Sequence, residues 1–167
     1  ILNISAYQKD KVWVPPHDLE EQANPHMTWE TVNPVWWVPR GYACVRVDTR
    51  GSGKSPGLSD PGGWQETLDF YDSIEWAAKQ KWCSGNIGTA GISYHATTQW
   101  RVAGLQPPSL KAMIPWEGYG DCYRDAVYHG GIFQLYYLAT WYATQMAHHL
   151  LGDPQEYNPD AFRNERL

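Results

Sequence analysis

The sequence is poor in cysteine, has no long apolar run and carries no surplus of positive charge. Its three cysteines, Cys44, Cys83 and Cys122, form no C-x-x-C pair. A disulfide framework is therefore not expected, and a sparse, odd count points to reduced thiols and a cytoplasmic setting. No apolar stretch approaches the ~20 residues that a membrane span needs. Thirteen Lys and Arg against 18 Asp and Glu give a formal net charge of −5 with no basic cluster. That balance argues against a nucleic-acid partner and against an anionic membrane surface. There is no H-E-x-x-H motif, and His148 and His149 are adjacent, so they cannot share a helix face as metal ligands would; no metal or cofactor is expected. The N-terminus shows no methionine, signal peptide or transit peptide. Ile1-Leu2-Asn3-Ile4 has the character of a strand interior, so the 167 residues are expected to be part of a longer chain.

Hydrophobic residues make up 43% and charged residues 19%, the balance of a globular domain with one core. Ten Trp and eleven Tyr are many for this length. They fit a heavily aromatic core, an aromatic-lined pocket, or both.

The chain is organised around Asn86 to Gln99, NIGTAGISYHATTQ. Small and apolar residues run from Ile87 to Ile92, Ser93 follows, and no Gly or Pro then intervenes before Gly104. That pattern predicts a buried strand, a tight turn carrying a serine, and a helix. Such a turn can present a serine hydroxyl beside the free N–H groups of a helix start. Gly88, Ala90, Gly91 and Ala96 supply the small residues that the crossing of strand and helix demands. The simple pattern G-x-S-x-G is not met, because His95 and Ala96 follow Tyr94. Gly-x-Ser between apolar residues also occurs in purely structural turns.

Elsewhere, 1–5, 42–48 and 110–114 are expected as buried strands, and 64–81 and 94–104 as helices. The helix over 64–81 is expected to bury a stripe through Trp64, Leu68, Tyr71, Ile74, Ala78 and Trp82. A short helix is expected within 34–40, an irregular loop over 15–34, and a long helix over 132–151. Strands alternating with helices predict an α/β fold with a mostly parallel sheet and helices on both faces. Sites in such sheets form at the carboxyl ends of the strands. Tyr7, Asp48 to Arg50, Ser93, and Trp116 with Glu117 all follow strand ends and should share one edge.

GSGKS at 51–55 invites a phosphate-loop reading. That motif needs a glycine where Asp48 stands and a helix directly afterwards, but Pro56, Gly57 and Pro61 follow. The expected role of Asp48 and Arg50 is to brace neighbouring loops. His95, two residues from Ser93 on one helix start, should point away from the hydroxyl.

Four stretches together resemble the X-Pro dipeptidyl-peptidase and cocaine-esterase family of α/β-hydrolases. They are SAYQKD (5–10), RGYACVRVDTRGSGKSPG (40–57), DFYDSIEWAAKQKWCSGNIGTAGISYHATTQW (69–100) and LKAMIPWEGYGDCYRDAVYHGG (110–131). In that family a large residue two after the serine is normal, while Ala96 stands where glycine is frequent. The resemblance implies a serine nucleophile at Ser93. It also implies an oxyanion hole from the Tyr7 hydroxyl and the Tyr94 backbone N–H. The family's acid and histidine lie beyond a helical cap, so neither is assigned here. Residues 1–125 are expected as a partial hydrolase core and 126–167 as the start of the cap. Trp116, Glu117, Asp121 and His129 are candidates for binding substrate, a carboxylate there suiting an ammonium group. A loop-bracing salt bridge is the plainer role for Glu117 or Asp121. The expected partner is a small ester, an amide or a short peptide, and any homo-oligomer is expected to assemble through regions outside this stretch. The competing expectation is a non-catalytic segment that only binds a ligand or partner.

Overall fold

The computed structural model describes residues 1–13, 18, 21, 24–136 and 139–141. Four strands form one parallel sheet: β1 (Leu2–Ser5), β2 (Val45–Asp48), β3 (Ile87–Ile92) and β4 (Leu110–Trp116), in the order β2-β1-β3-β4. β1 and β2 pair from Leu2 opposite Val45 to Ser5 opposite Asp48, and β3 and β4 from Ile87 opposite Leu110 to Ile92 opposite Trp116. Three helices join the strands: α1 (Pro34–Trp37), α2 (Trp64–Ala78) and α3 (Tyr94–Gly104). The fold class and the parallel strands expected from the sequence are both present.

Strand order explains where the helices lie. The β2–α2–β3 and β3–α3–β4 crossovers advance in the same direction, so right-handed connections put α2 and α3 on one face; the two helices pack together there. The β1–β2 connection runs the other way and carries α1 to the opposite face. Side-chain alternation along β1 agrees. Leu2 and Ile4 enter a core with Phe70, Ile74, Ala77, Ile87 and Val102. Asn3 and Ser5 line a pocket on the other side with Thr28 and Trp29.

Three local expectations are corrected. The buried stripe of α2 runs through Thr67, Phe70, Ile74 and Ala77, whereas Trp64 and Trp82 are more than half exposed. The expected stripe holds at Ile74, with Tyr71 and Ala78 packed against the same core, and fails at the two tryptophans. The strand over 110–114 is not buried: it extends to Trp116 and alternates with exposed residues, because β4 is an edge of the sheet among the described residues. The long helix over 132–151 does not begin at Ile132. Ile132–Phe133 (β6) instead pairs antiparallel with Tyr128–His129 (β5), after a π-helical turn at Cys122–Val127. Most of the rest of that expected helix, with His148 and His149, lies outside the described residues. So does part of the loop over 15–34.

Candidate active site

Ser93 stands between the end of β3 and the start of α3 with φ 57° and ψ −115°. A side chain other than glycine or asparagine rarely adopts such a conformation, which costs on the order of 1–3 kcal/mol and persists only where the surroundings enforce it. They do so from three sides. The Ser93 N–H donates to the Trp116 carbonyl (2.8 Å), and the Ser93 carbonyl accepts from the N–H groups of Ala96 and Thr97 (both 3.0 Å). On the preceding residue, the Ile92 N–H donates to the Glu30 carbonyl (3.1 Å). The turn also depends on glycine at 91, where a Cβ would lie 2.4 Å from the Cβ of His95.

Ala96, the departure from the family's frequent glycine, is accommodated from outside the turn. A Cβ on Gly118 would lie 2.5 Å from the Ala96 Cβ and 2.8 Å from the Thr97 nitrogen. The loop after β4 therefore passes close over α3 because it has no side chain there.

The Ser93 hydroxyl makes no capping bond to the helix. No hydrogen bond involves the Tyr94 N–H among the described residues. Tyr94 itself is buried, and its hydroxyl donates to Glu66 Oε1 and accepts from the Gly62 N–H (3.1 Å). The Gly62 N–H also reaches Glu66 Oε2 (2.8 Å). Burial raises the pKa of both Glu66 and Tyr94 and so disfavours the charged form of each.

Tyr7 lies two residues beyond β1, is 5% exposed, and packs its ring 5.6 Å from that of Tyr94 and 5.7 Å from that of His95. The loop that carries it is tied to the loop after β2. The Thr49 N–H donates to the Ser5 carbonyl (2.9 Å) and Ser52 Oγ to the Ala6 carbonyl (2.8 Å). Asp48 accepts from the Lys9 N–H (2.5 Å) and from Lys9 Nζ (3.0 Å). A Cβ on Gly53 would strike the Asp48 carboxylate at 2.2 Å. Arg50 forms a two-point pair with Asp69 (2.9 and 2.6 Å). The GSGKS stretch is thus a brace for the Tyr7 loop, with Asp48 packed into it.

His95 is buried, and its ring nitrogens lie against the backbone of Trp29 and of Ile4, although neither contact meets ordinary hydrogen-bond geometry. Burial holds its imidazole down to about 4, so it is neutral at ordinary pH. Of the other candidates, Trp116 is 65% exposed and is joined through its carbonyl to Ser93. Glu117 follows with φ 54° and is exposed. Asp121 caps the π-helical turn, accepting from the Arg124 N–H (3.1 Å), and pairs with the Arg124 guanidinium. Those bonds hold its carboxyl below the usual range. His129 is exposed on the β5–β6 hairpin.

Glu30 and Glu66 are the residues that the sequence did not single out. Glu30 has φ 57°, and its Oε2 is buried without a partner. Burial pushes its carboxyl up to about 7, with Glu117 adding to the effect and Trp29 opposing it. Neither residue carries a local signal. Glu30 arrives beside β3 at the end of an irregular loop, and Glu66 reads as an ordinary polar residue of an amphipathic helix.

A parallel α/β sheet whose strand-to-helix turn holds a strained, exposed-edge serine defines an α/β-hydrolase. The family model for X-Pro dipeptidyl-peptidase (S15 family) matches residues 1–167, and the chain belongs to that family. It is 38% identical over 118 residues to a cocaine esterase of Rhodococcus sp. (strain MB1 Bresler), covering 69% of this chain and 20% of that protein. It is 34% identical over 93 residues to a putative Xaa-Pro dipeptidyl-peptidase of Bacillus anthracis, covering 48% of this chain and 16% of the relative. A crystal structure of a CocE/NonD family hydrolase from Staphylococcus aureus superposes with a TM-score of 0.79 at 40% identity, over 92% of this chain and 28% of that one. The chain therefore spans between 16% and 28% of the length of these three relatives. No helix among the described residues is long and apolar enough to cross a membrane.

Proposed function

We propose that the protein is a serine hydrolase that cleaves an ester or amide bond through an acyl-enzyme on Ser93. The observation that carries this reading is the strained backbone of Ser93 at the helix start, with its hydroxyl outside any cap. Ser93 Oγ attacks the substrate carbonyl carbon while its proton passes to a base, and the carbonyl oxygen becomes an oxyanion. The Tyr94 N–H and the Tyr7 hydroxyl are the donors assigned to that oxygen. Collapse expels the alcohol or amine, which takes the proton, and water then releases the acid from Ser93. Family membership supports the class, and the pairing of the Tyr7 and Tyr94 rings supports the donor assignment.

Among the described residues no histidine hydrogen-bonds Ser93, and His95 is buried and neutral. In this reading the base and its acid come from the rest of the protein, and residues 1–167 made alone do not turn over substrate. Trp116 and Glu117, next to the Ser93 anchor, face the acyl or leaving group, while Asp121 and His129 form the rim. The substrate is a small ester or an amide, an acyl or X-Pro dipeptidyl group being the part transferred to Ser93.

A fluorophosphonate probe on the whole protein tests the reading. It should label the wild type at Ser93 and fail on Ser93→Ala, and Tyr7→Phe should lower kcat by ~10²-fold. An unlabelled wild type would favour a non-catalytic binding segment. Turnover of p-nitrophenyl acetate by residues 1–167 alone, lost on Ser93→Ala, would place a base within this stretch.

A further inference from the structure

His95 is a poor choice for a purely structural position. A buried imidazole whose nitrogens reach only the imperfectly placed backbone of Trp29 and Ile4 is disfavoured against an apolar side chain of similar size. Yet it sits at the tightest point of the Ser93 turn, where Gly91 leaves room for its Cβ and no more. The aromatic ring it packs against is Tyr7. The two rings meet nearly edge to face, with centroids 5.7 Å apart and planes at 78°. The Tyr94 ring also packs on Tyr7, at 5.6 Å with planes at 45°. His95 and Tyr7 also line one pocket with Asn3, Ser5, Thr28 and Trp29, on the sheet face away from the apolar core.

A tyrosine hydroxyl lies on the axis of its ring, so χ1 sets its position and rotation about χ2 does not. A swing of about 10° in χ1 carries the oxygen by about 1 Å, well within a single rotamer well. Rotamer preference therefore cannot hold the hydroxyl to the tolerance that an oxyanion donor needs, and packing by the neighbouring rings has to do so. A flat, rigid ring on the His95 side provides such a wall, whereas a flexible or shorter side chain does not.

We propose that His95 is a positioning residue for Tyr7, its buried ring fixing the tilt of the phenol so that the hydroxyl meets the oxyanion formed at Ser93. The inference rests on the reading of Tyr7 as an oxyanion donor. It assigns His95 no proton transfer; its burial as the neutral form suits a wall.

The test uses the whole protein with p-nitrophenyl acetate and four variants: Tyr7→Phe, His95→Ala, His95→Phe and the double variant Tyr7→Phe/His95→Ala. His95→Ala should lower kcat about tenfold with KM within about twofold, because a misplaced donor is felt in the transition state. His95→Phe, which restores a flat ring, should recover most of the loss. On the Tyr7→Phe background, His95→Ala should cause no further fall, since the donor it positions is gone. If Tyr7→Phe lowers kcat while His95→Ala does not, the positioning role is overturned and the donor role stands. Losses that multiply in the double variant overturn it as well. An unchanged kcat in Tyr7→Phe removes the donor role and the positioning role together. Failure of both His95 variants to fold would assign the residue to the core alone.

Discussion

The Tyr94 hydroxyl donates to the carboxylate of Glu66, twenty-eight residues earlier, at the buried junction of α2 and α3. One residue thus has two separate duties in the proposed site. Its backbone N–H stands at the helix start beside Ser93, and its side chain locks that helix to α2 and to the Gly62 loop.

Tyr94→Phe separates those duties. Removing the hydroxyl leaves the buried Glu66 carboxyl without its side-chain donor, a loss of about 1–3 kcal/mol. The N–H is untouched. The expected outcome is a lower urea midpoint with kcat on an ester substrate within a fewfold of wild type. Tyr7→Phe should give the converse. An active-site collapse in Tyr94→Phe, with stability unchanged, would contradict this division.

Ser93→Gly should raise stability while abolishing acylation. Glycine adopts φ 57° without the penalty that serine carries there, so about 1 kcal/mol of the stored strain should be recovered. Differential scanning calorimetry of the two proteins checks this, and a Tm unchanged or lowered by the glycine would show that the turn is not strained.

Glu30 makes the protein sensitive to pH. Burial pushes its carboxyl up to about 7 from an ordinary 4.5, so the folded state holds its proton over a range in which the unfolded chain has lost it. Its contribution to stability is therefore greatest below the unfolded value and declines as pH rises towards 7. Each pH unit of such a shift corresponds to about 1.4 kcal/mol, reduced here because the side chain is only half-buried. Glu30→Gln should be more stable than wild type by about 1 kcal/mol or more at pH 8 and no more stable at pH 4. Urea unfolding at the two pH values decides it; an advantage that is equal at both would remove ionisation as its cause.

Gly118→Ala should destabilise the loop after β4 by about 1–3 kcal/mol, because its Cβ would strike Ala96. Adding Ala96→Gly should restore part of the loss, since the Ala96 Cβ is then gone. The remainder should persist, because the Ala96 carbonyl carbon and the Thr97 nitrogen would stay 2.8 Å from the new methyl. A double variant no better than the single would show that the clash is relieved elsewhere.

Much of this was legible in the sequence, and for a consistent reason. Strands such as Val45–Asp48 and Ile87–Ile92 are marked by local pattern, and a parallel order follows from the helices between them. Ser93 was legible because small residues must surround its turn. Tyr7 was not legible from pattern alone: a tyrosine after a strand is unremarkable, and only the family resemblance drew attention to it. The α2 stripe was right at its middle, through Tyr71, Ile74 and Ala78, and wrong at its ends, because tryptophans weigh heavily in any apolar pattern and here stand at the surface. Glu30 was hidden because its position depends on where a long irregular loop returns. Ala96 stood out as a departure, but the compensating Gly118 could be seen only in space.

That pair also constrains history. The head of α3 leaves no room for a methyl group at position 118 while alanine stands at 96, and the backbone of residues 96 and 97 crowds position 118 even when glycine does. If an ancestor had glycine at 96, then glycine at 118 had to be in place before alanine could arrive. The reverse order passes through a crowded intermediate. Related chains with a side chain at the equivalent of 118 should therefore carry glycine at the equivalent of 96.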